Sequence, residues 1–286
     1  MLKELMISLR PRQWYKNLVL FAGVVFSLNL LNFNTMLYVI IAFVIFVLLS
    51  GSVYIINDII DKEVDEKHPI KSKRPVASGL LKTSHAGLFA IVLMSAAIFA
   101  SFFINANFLI ISLIYVILTL SYSLFLKKVY IIDITSVSMG FILRAVAGCL
   151  AISVSISPWI IICTFLLAVF LAAGKRRHEY TILGINLKSH REIFERYSAK
   201  TLERLMKITA FSLTVVYTLY AFLSGHFYMV LTVPIILPFF KRYFSLVRSS
   251  GFGTDDVNIL KDRWLLASIV SWFILVVLVL YFIPGG

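Results

Sequence analysis

Charged residues are absent from long stretches of this chain and crowded into short ones. Asn17–Asn57 runs 41 residues without an Asp, Glu, Lys or Arg, Thr83–Leu126 runs 44, and Ile134–Gly174 runs 41 with Arg144 as its one interruption. Ile208–Phe240 adds 33 more, and Trp264–Gly286 follows. A helix needs about 20 apolar residues to cross the hydrocarbon core of a bilayer. Each of the first three runs therefore predicts two spans. Their turns fall at Asn29–Thr35, Ile104–Asn107 and Ser153–Pro158, which are rich in Asn, Ser or Pro. Ile208–Phe240 is tight for two spans, with Ser224-Gly225-His226 as its turn, and the last run gives one more. The expectation is an all-α integral membrane protein with nine transmembrane helices.

Composition agrees with that class. Of 286 residues 60% are apolar and 14% charged, and the mean hydropathy is +0.93, far from an ordinary soluble domain. The basic tail Met1–Lys16 leads into an apolar run with no small-residue cleavage pattern, so no signal peptide is expected. Cys149 and Cys163 lie in apolar segments and read as packing residues, not as zinc ligands.

The net charge of +13 would suggest nucleic acid in a soluble protein. Its placement argues for a lipid bilayer and no nucleic acid. Arg144 excepted, every Lys and Arg falls in the N-terminal tail or in the connections 58–82, 127–133, 175–207 and 241–263, and the acids share that face. By the positive-inside rule this face is cytoplasmic, which puts the N-terminus inside and, after nine crossings, the C-terminus outside. A transporter would often carry ionisable groups at mid-membrane depth. Chemistry crowded at one surface predicts instead an enzyme with a cytosolic substrate.

Asn57-Asp58-Ile59-Ile60-Asp61-Lys62-Glu63-Val64-Asp65 stands where the first apolar run meets water. At helical pitch Asn57, Asp61 and Asp65 recur every four residues, with Asp58 one position round. Such a face repels itself unless a cation sits in it. Hard oxygen donors suit Mg²⁺, usually in company with a phosphate-bearing substrate. The alternative is a capped helix end with solvated acids. The basic run that follows, through Lys67, His68, Lys71, Lys73 and Arg74, is placed to grip phosphate oxygens or to meet anionic lipid; Arg74, beside Pro75, is the more constrained.

Three further groups stand out. Tyr122 and Lys127 precede Asp133, which either caps a helix or belongs to a site. Arg144 lies eleven residues on, close to three turns, so it shares a face with Asp133. The pair suggests a polar wall descending from the surface, unless Arg144 is satisfied by helix carbonyls. Lys175-Arg176-Arg177-His178-Glu179 puts cations beside an acid that can orient them, with His178 facing solvent. The segment Asn186–Lys207 reads as an amphipathic surface helix, with Ile193, Phe194, Tyr197 and Leu202 towards the membrane. The tail Arg10-Pro11-Arg12-Gln13-Trp14-Tyr15-Lys16-Asn17 reads as an interfacial anchor, with a phosphate contact open for Arg12 or Lys16.

The Asn-Asp-x-x-Asp-x-x-x-Asp cluster after the second apolar helix resembles the UbiA superfamily of membrane prenyltransferases. The resemblance implies a single domain over 1–286, a helical bundle around a central cavity under a cytoplasmic cap. That family's second motif usually has two acids four residues apart. Here Asp133 holds the first place and Val137 the next. Arg10–Asn17, Ala173–Glu179, Asp256-Val257 and Asp262-Arg263 resemble the decaprenyl-phosphate phosphoribosyltransferase branch of the superfamily.

What this branch implies is a bacterial cell-membrane enzyme. It moves phosphoribose from phosphoribosyl pyrophosphate to a polyprenyl phosphate, feeding cell-envelope glycan synthesis. The alternative is transfer of a prenyl chain from its diphosphate to an aromatic or isoprenoid acceptor. On this reading Asn57, Asp58, Asp61 and Asp65 hold Mg²⁺, while Arg74, Lys175 and Arg176 clamp phosphates, with Glu179 orienting a cation. Asp133 orients ribose hydroxyls or adds a metal ligand, Tyr122 faces the ribose, and Lys127 or Arg144 receives the lipid phosphate. The acceptor is already an anion, so no general base is needed, in keeping with the lack of a Ser–His or Cys–His arrangement.

Overall fold

The computed structural model describes residues 1–67, 70–129, 131–183, 198–249 and 261–283, with side chains left out at 181–183. Every regular element among them is helical. They fall into two compact units, one of Met1–Ser136 with Gly140–Ile156, the other of Val137–Met139 with Ser157–Gly286.

The first unit begins with α1 (Leu2–Ser8), a 3₁₀ segment (Pro11–Leu20) and α2 (Phe21–Phe26). The long α3 (Phe33–Ile60) and short α4 (Lys62–Glu66) lead to α5 (Thr83–Phe102), α6 (Ala106–Leu124) and α7 (Ile132–Ala151). The asparagines of the predicted turns do the capping. Asn32 accepts from the Thr35 amide at 3.1 Å. Asn105 accepts from Phe108 N at 2.8 Å and also donates to the Leu150 carbonyl at 2.8 Å, tying one turn to the next. α3 packs on α5, α6 and the 3₁₀ segment, around a core of Leu20, Phe46, Leu49, Phe108, Tyr115 and Ala147.

Eight helices among the described residues are long and apolar enough to cross a membrane. The first expected span is not one of them: the chain there is the ten-residue 3₁₀ segment continued by the six-residue α2. At about 2.0 Å per 3₁₀ residue and 1.5 Å per α residue, the two extend roughly 29 Å. Six of the ten 3₁₀ residues, Pro11–Lys16, precede the charge-free run, so hydrophobicity read neither the start of this segment nor its winding.

The second unit holds α8 (Pro158–Leu183), α9 (Ala199–Leu223), a 3₁₀ turn (Phe227–Thr232) running into α10 (Val233–Arg248), and α11 (Arg263–Phe282). The 33-residue run falls in two helices long and apolar enough to cross a membrane, 199–223 and 227–248, which extend beyond it at both ends. It reverses at Gly225, whose φ of 76° is open to glycine and strained for other residues. Of the expected surface helix, 186–197, with Ile193, Phe194 and Tyr197, lies outside the described residues. Its remainder is no separate element, because α9 runs unbroken from Ala199 and buries Leu202 completely. An apolar residue on a spanning helix packs inward when a neighbouring helix is there to meet it, and α8 lies along α9.

Candidate active site

The cluster is built at the end of α3. That helix stops at Ile60, yet the chain keeps helical spacing through the break: Asp61 N bonds the Asn57 carbonyl at 2.9 Å and Asp65 N the Asp61 carbonyl at 2.8 Å. The expected stripe therefore forms. Asp58 and Asp65 are buried, Asn57 and Asp61 half-buried. Asn57 donates to Asp61 Oδ2 at 3.1 Å.

Each carboxylate is met by a cation. Arg74 Nη1 donates to Asp58 Oδ1 at 3.0 Å and to Asp65 Oδ2 at 2.5 Å, a single nitrogen spanning two acids. Lys71 Nζ lies 3.9 Å from Asp65. Lys127, on the 3₁₀ turn Leu126–Lys128, reaches Asp61 Oδ1 at 2.5 Å. The fourth partner is Arg10, which donates to the same Asp58 oxygen as Arg74 and stacks 4.8 Å from the centre of the Tyr54 ring. The expected site had no place for Arg10, whose tail read as an interfacial anchor. Its backbone is unusual: φ is 51° and ψ 63°, a left-handed conformation for a bulky residue directly before a proline. Such conformations cost about 1–3 kcal/mol and gather at functional sites. The sequence did not signal this, since a following proline favours extended backbone at the residue before it.

Magnesium is the ion the resemblance implies, and the donor set fits it: three carboxylates and an amide, all hard oxygen ligands. As arranged, no three His, Cys, Asp or Glu side chains converge on a metal position among the described residues. The acids are turned to basic partners instead.

Asp133 is fully buried at the start of α7 and accepts from the Tyr122 hydroxyl at 2.9 Å. Arg144 shares its face but not its surroundings, for eleven residues of helix separate the two by about 16 Å. Its guanidinium donates from Nε to Asn17 Oδ1 at 2.7 Å, from Nη1 to the Gly140 carbonyl at 2.9 Å and from Nη2 to the Tyr115 hydroxyl at 2.6 Å. Asn17 in turn donates to Ser50 at 3.2 Å. The polar wall is thus an internal brace joining the 3₁₀ segment, α3, α6 and α7. Lys16 bonds the Gln13 side chain at 3.2 Å, and Arg12 is exposed.

In the second unit, Arg176 is buried and pairs with Glu179 at 2.7 Å, while Lys175 stands half-buried on the same helix. His178 does not face solvent. It is buried with Nδ1 3.3 Å from the Val247 carbonyl, because α8 continues to Leu183 and its His178 side packs on α10. Arg177 and Arg248 both meet Glu203, each at 3.2 Å. Asp262 caps α11 through the Trp264 and Leu265 amides and pairs with Arg242 at 2.6 Å, which holds its carboxyl below the usual range. His68 and the Asp256-Val257 pair lie outside the described residues.

A multi-pass helical membrane protein with an acid cluster closing its long third helix defines a class, and sequence comparison gives it a name. The chain belongs to the UbiA prenyltransferase family, whose model matches residues 18–266. A decaprenyl-phosphate phosphoribosyltransferase of Corynebacterium glutamicum is 32% identical to it, over 97% of this chain and 86% of that protein. Another so named, of Mycolicibacterium smegmatis, is 30% identical over 96% and 92%. Among solved structures, a UbiA homolog from Archaeoglobus fulgidus bound to GPP and Mg²⁺ matches with a TM-score of 0.73, covering 96% of this chain and 99% of that one. At 15% identity that likeness carries the fold alone.

Proposed function

We propose that the protein transfers 5-phosphoribose from phosphoribosyl pyrophosphate to a polyprenyl phosphate. The observation that carries this reading is the similarity, over nearly the whole chain, to proteins named for that activity. The single acid of the second motif, Asp133 with Val137 four residues on, supports it against prenyl transfer, which by the family's pattern uses a second acidic pair. An oxygen of the acceptor phosphate forms the new bond to ribose C1 as the C1–oxygen bond to pyrophosphate breaks. The acceptor brings its own negative charge, so no side chain has to remove a proton.

The residues divide the remaining work. Asn57, Asp58, Asp61 and Asp65 would hold Mg²⁺, which when bound offsets charge on the leaving pyrophosphate. Arg74 and Lys127, already at the cluster, are the cations for phosphate oxygens the metal leaves free. Lys175 and Arg176, oriented by Glu179, are assigned phosphate contacts by resemblance. Asp133, fixed by Tyr122, is assigned the ribose, whose C1 becomes positive as the bond breaks. Arg144, braced inside the bundle, supports the fold and does not receive the lipid phosphate.

We place the charged connections on the cytoplasmic face of a bacterial cell membrane, with the composite 3₁₀–α2 segment as a ninth crossing and the C-terminal end outside. The product would serve cell-envelope glycan synthesis. Purified protein given Mg²⁺, ribose-labelled phosphoribosyl pyrophosphate and a polyprenyl phosphate tests the reading. Label should enter the organic phase only when all three are present, and failure to do so refutes it.

A further inference from the structure

Asp58 is buried, and the two guanidinium groups on it are within reach of solvent: the side chains of Arg10 and Arg74 are 19% and 25% exposed, against 3% for the carboxylate. A carboxylate so enclosed is costly without a cation beside it. At Asp61 the exposures are reversed, 25% for the carboxylate and 11% for Lys127, but the acid is again met by a cation of the chain. The acids the proposed function gives to a metal are therefore already neutralised by the chain itself. Arg10, Arg74 and Lys127 come from three separate segments, the N-terminal tail, the 71–82 loop and the turn after α6, and all three end on this cluster.

A divalent cation arriving alone must displace these side chains and leave them with nothing to bind. A diphosphate arriving alone must draw them off and leave the acids bare. Arriving together, each supplies what the other removes: the metal takes the carboxylates and the released cations take phosphate oxygens, which suit guanidinium groups well. From this, and resting on the diphosphate reading above, we infer that Arg10 and Lys127 are exchangeable counter-ions of the acid cluster, so that the divalent cation and the donor's diphosphate bind as a pair. Arg10 is then a diphosphate-binding residue of the site. Its strained backbone, followed by Pro11, keeps the guanidinium near the cluster in both forms, so that it turns from Asp58 to phosphate without leaving. Coupling of two ligands through one shared set of groups falls in the range of about 5- to 150-fold.

The test is Mn²⁺ binding to the purified protein by electron paramagnetic resonance, with and without inorganic pyrophosphate, correcting for the complex the two form in solution. In the wild type pyrophosphate should tighten Mn²⁺ binding by about tenfold or more. In Arg10→Gln and in Lys127→Gln, Mn²⁺ alone should bind several-fold more tightly than to the wild type, and the gain from pyrophosphate should shrink. Mn²⁺ affinity unchanged or weakened in both variants without pyrophosphate would overturn the inference. If Arg10→Gln fails to fold, Lys127→Gln decides by the same criterion. Coupling without any phosphoribosyl transfer would sink the proposed reaction and leave the exchange standing; transfer without coupling would do the reverse.

Discussion

Asp58 ends a 28-residue apolar helix and carries two guanidinium groups on one oxygen. Its place one position round from the Asn57–Asp61–Asp65 stripe was legible from spacing alone, since four-residue repeats need only helical pitch. Its partners were not legible, because Arg10 is 48 residues away in the chain and Arg74 is 16. Asp58→Ala and Asp61→Ala should each lower turnover at least about a hundredfold, at or beyond what loss of a metal's supporting groups costs. The variants should keep the helical circular dichroism of the parent. Normal activity in both would remove these acids from the site. Tyr122→Phe leaves Asp133 without its 2.9 Å donor; a hydrogen bond to a charged group is worth about 1.5–3 kcal/mol, so kcat/KM should fall roughly tenfold to a hundredfold. Steady-state kinetics at saturating acceptor would show it, and an unchanged value would free Asp133 of Tyr122.

The helical elements explain why one span was misread and one arginine misassigned. The 3₁₀ segment can lie against α7 because α7 offers no side chain at Gly148, where an added Cβ would fall on the Leu20 carbonyl. Small residues at such contacts let backbones approach closely. Gly148→Val should therefore unseat the segment, with loss of the folded fraction in detergent size-exclusion chromatography, whereas Gly79→Ala, where an added Cβ meets nothing but φ is positive, should cost only backbone strain. Asn17→Leu removes the acceptor of Arg144 Nε and strands a buried donor, a loss of about 1–3 kcal/mol. A thermal melt should report it, and an unaltered melt would show the brace to be dispensable. The sequence placed Arg144 and Asp133 correctly on one face. It said nothing of which neighbour each would meet, for the 3₁₀ segment that brings Asn17 to Arg144 has no pattern of its own. At the far end of the chain, Asp262 has its carboxyl lowered by its bond to Arg242 and by the amides it caps. A lowered folded value means stability that is present above the ordinary aspartate range and lost as pH falls through the folded one. Melting of the wild type against Asp262→Asn should differ at pH 6 and converge only as pH falls below the ordinary aspartate range.

For the whole molecule, the alternation of charge-free runs and charged connections was enough to give class and most span boundaries. Residues such as Asn105 and Gly225 then made turns where their chemistry said turns belong. What the alternation could not give is the set of ion pairs that join the tail, the 71–82 loop and the Lys127 turn to one cluster, since these depend on tertiary approach. Which diphosphate the acid cluster accepts separates phosphoribosyl transfer from prenyl transfer. A single competition settles it: purified protein, Mg²⁺, phosphoribosyl pyrophosphate and geranyl diphosphate at equal concentration, with a polyprenyl phosphate and an aromatic acid both present, and the lipid products weighed by mass spectrometry. The expected products are a polyprenyl phosphate heavier by one phosphoribosyl group and geranyl diphosphate left intact. A prenylated aromatic acid with phosphoribosyl pyrophosphate unconsumed would contradict phosphoribosyl transfer.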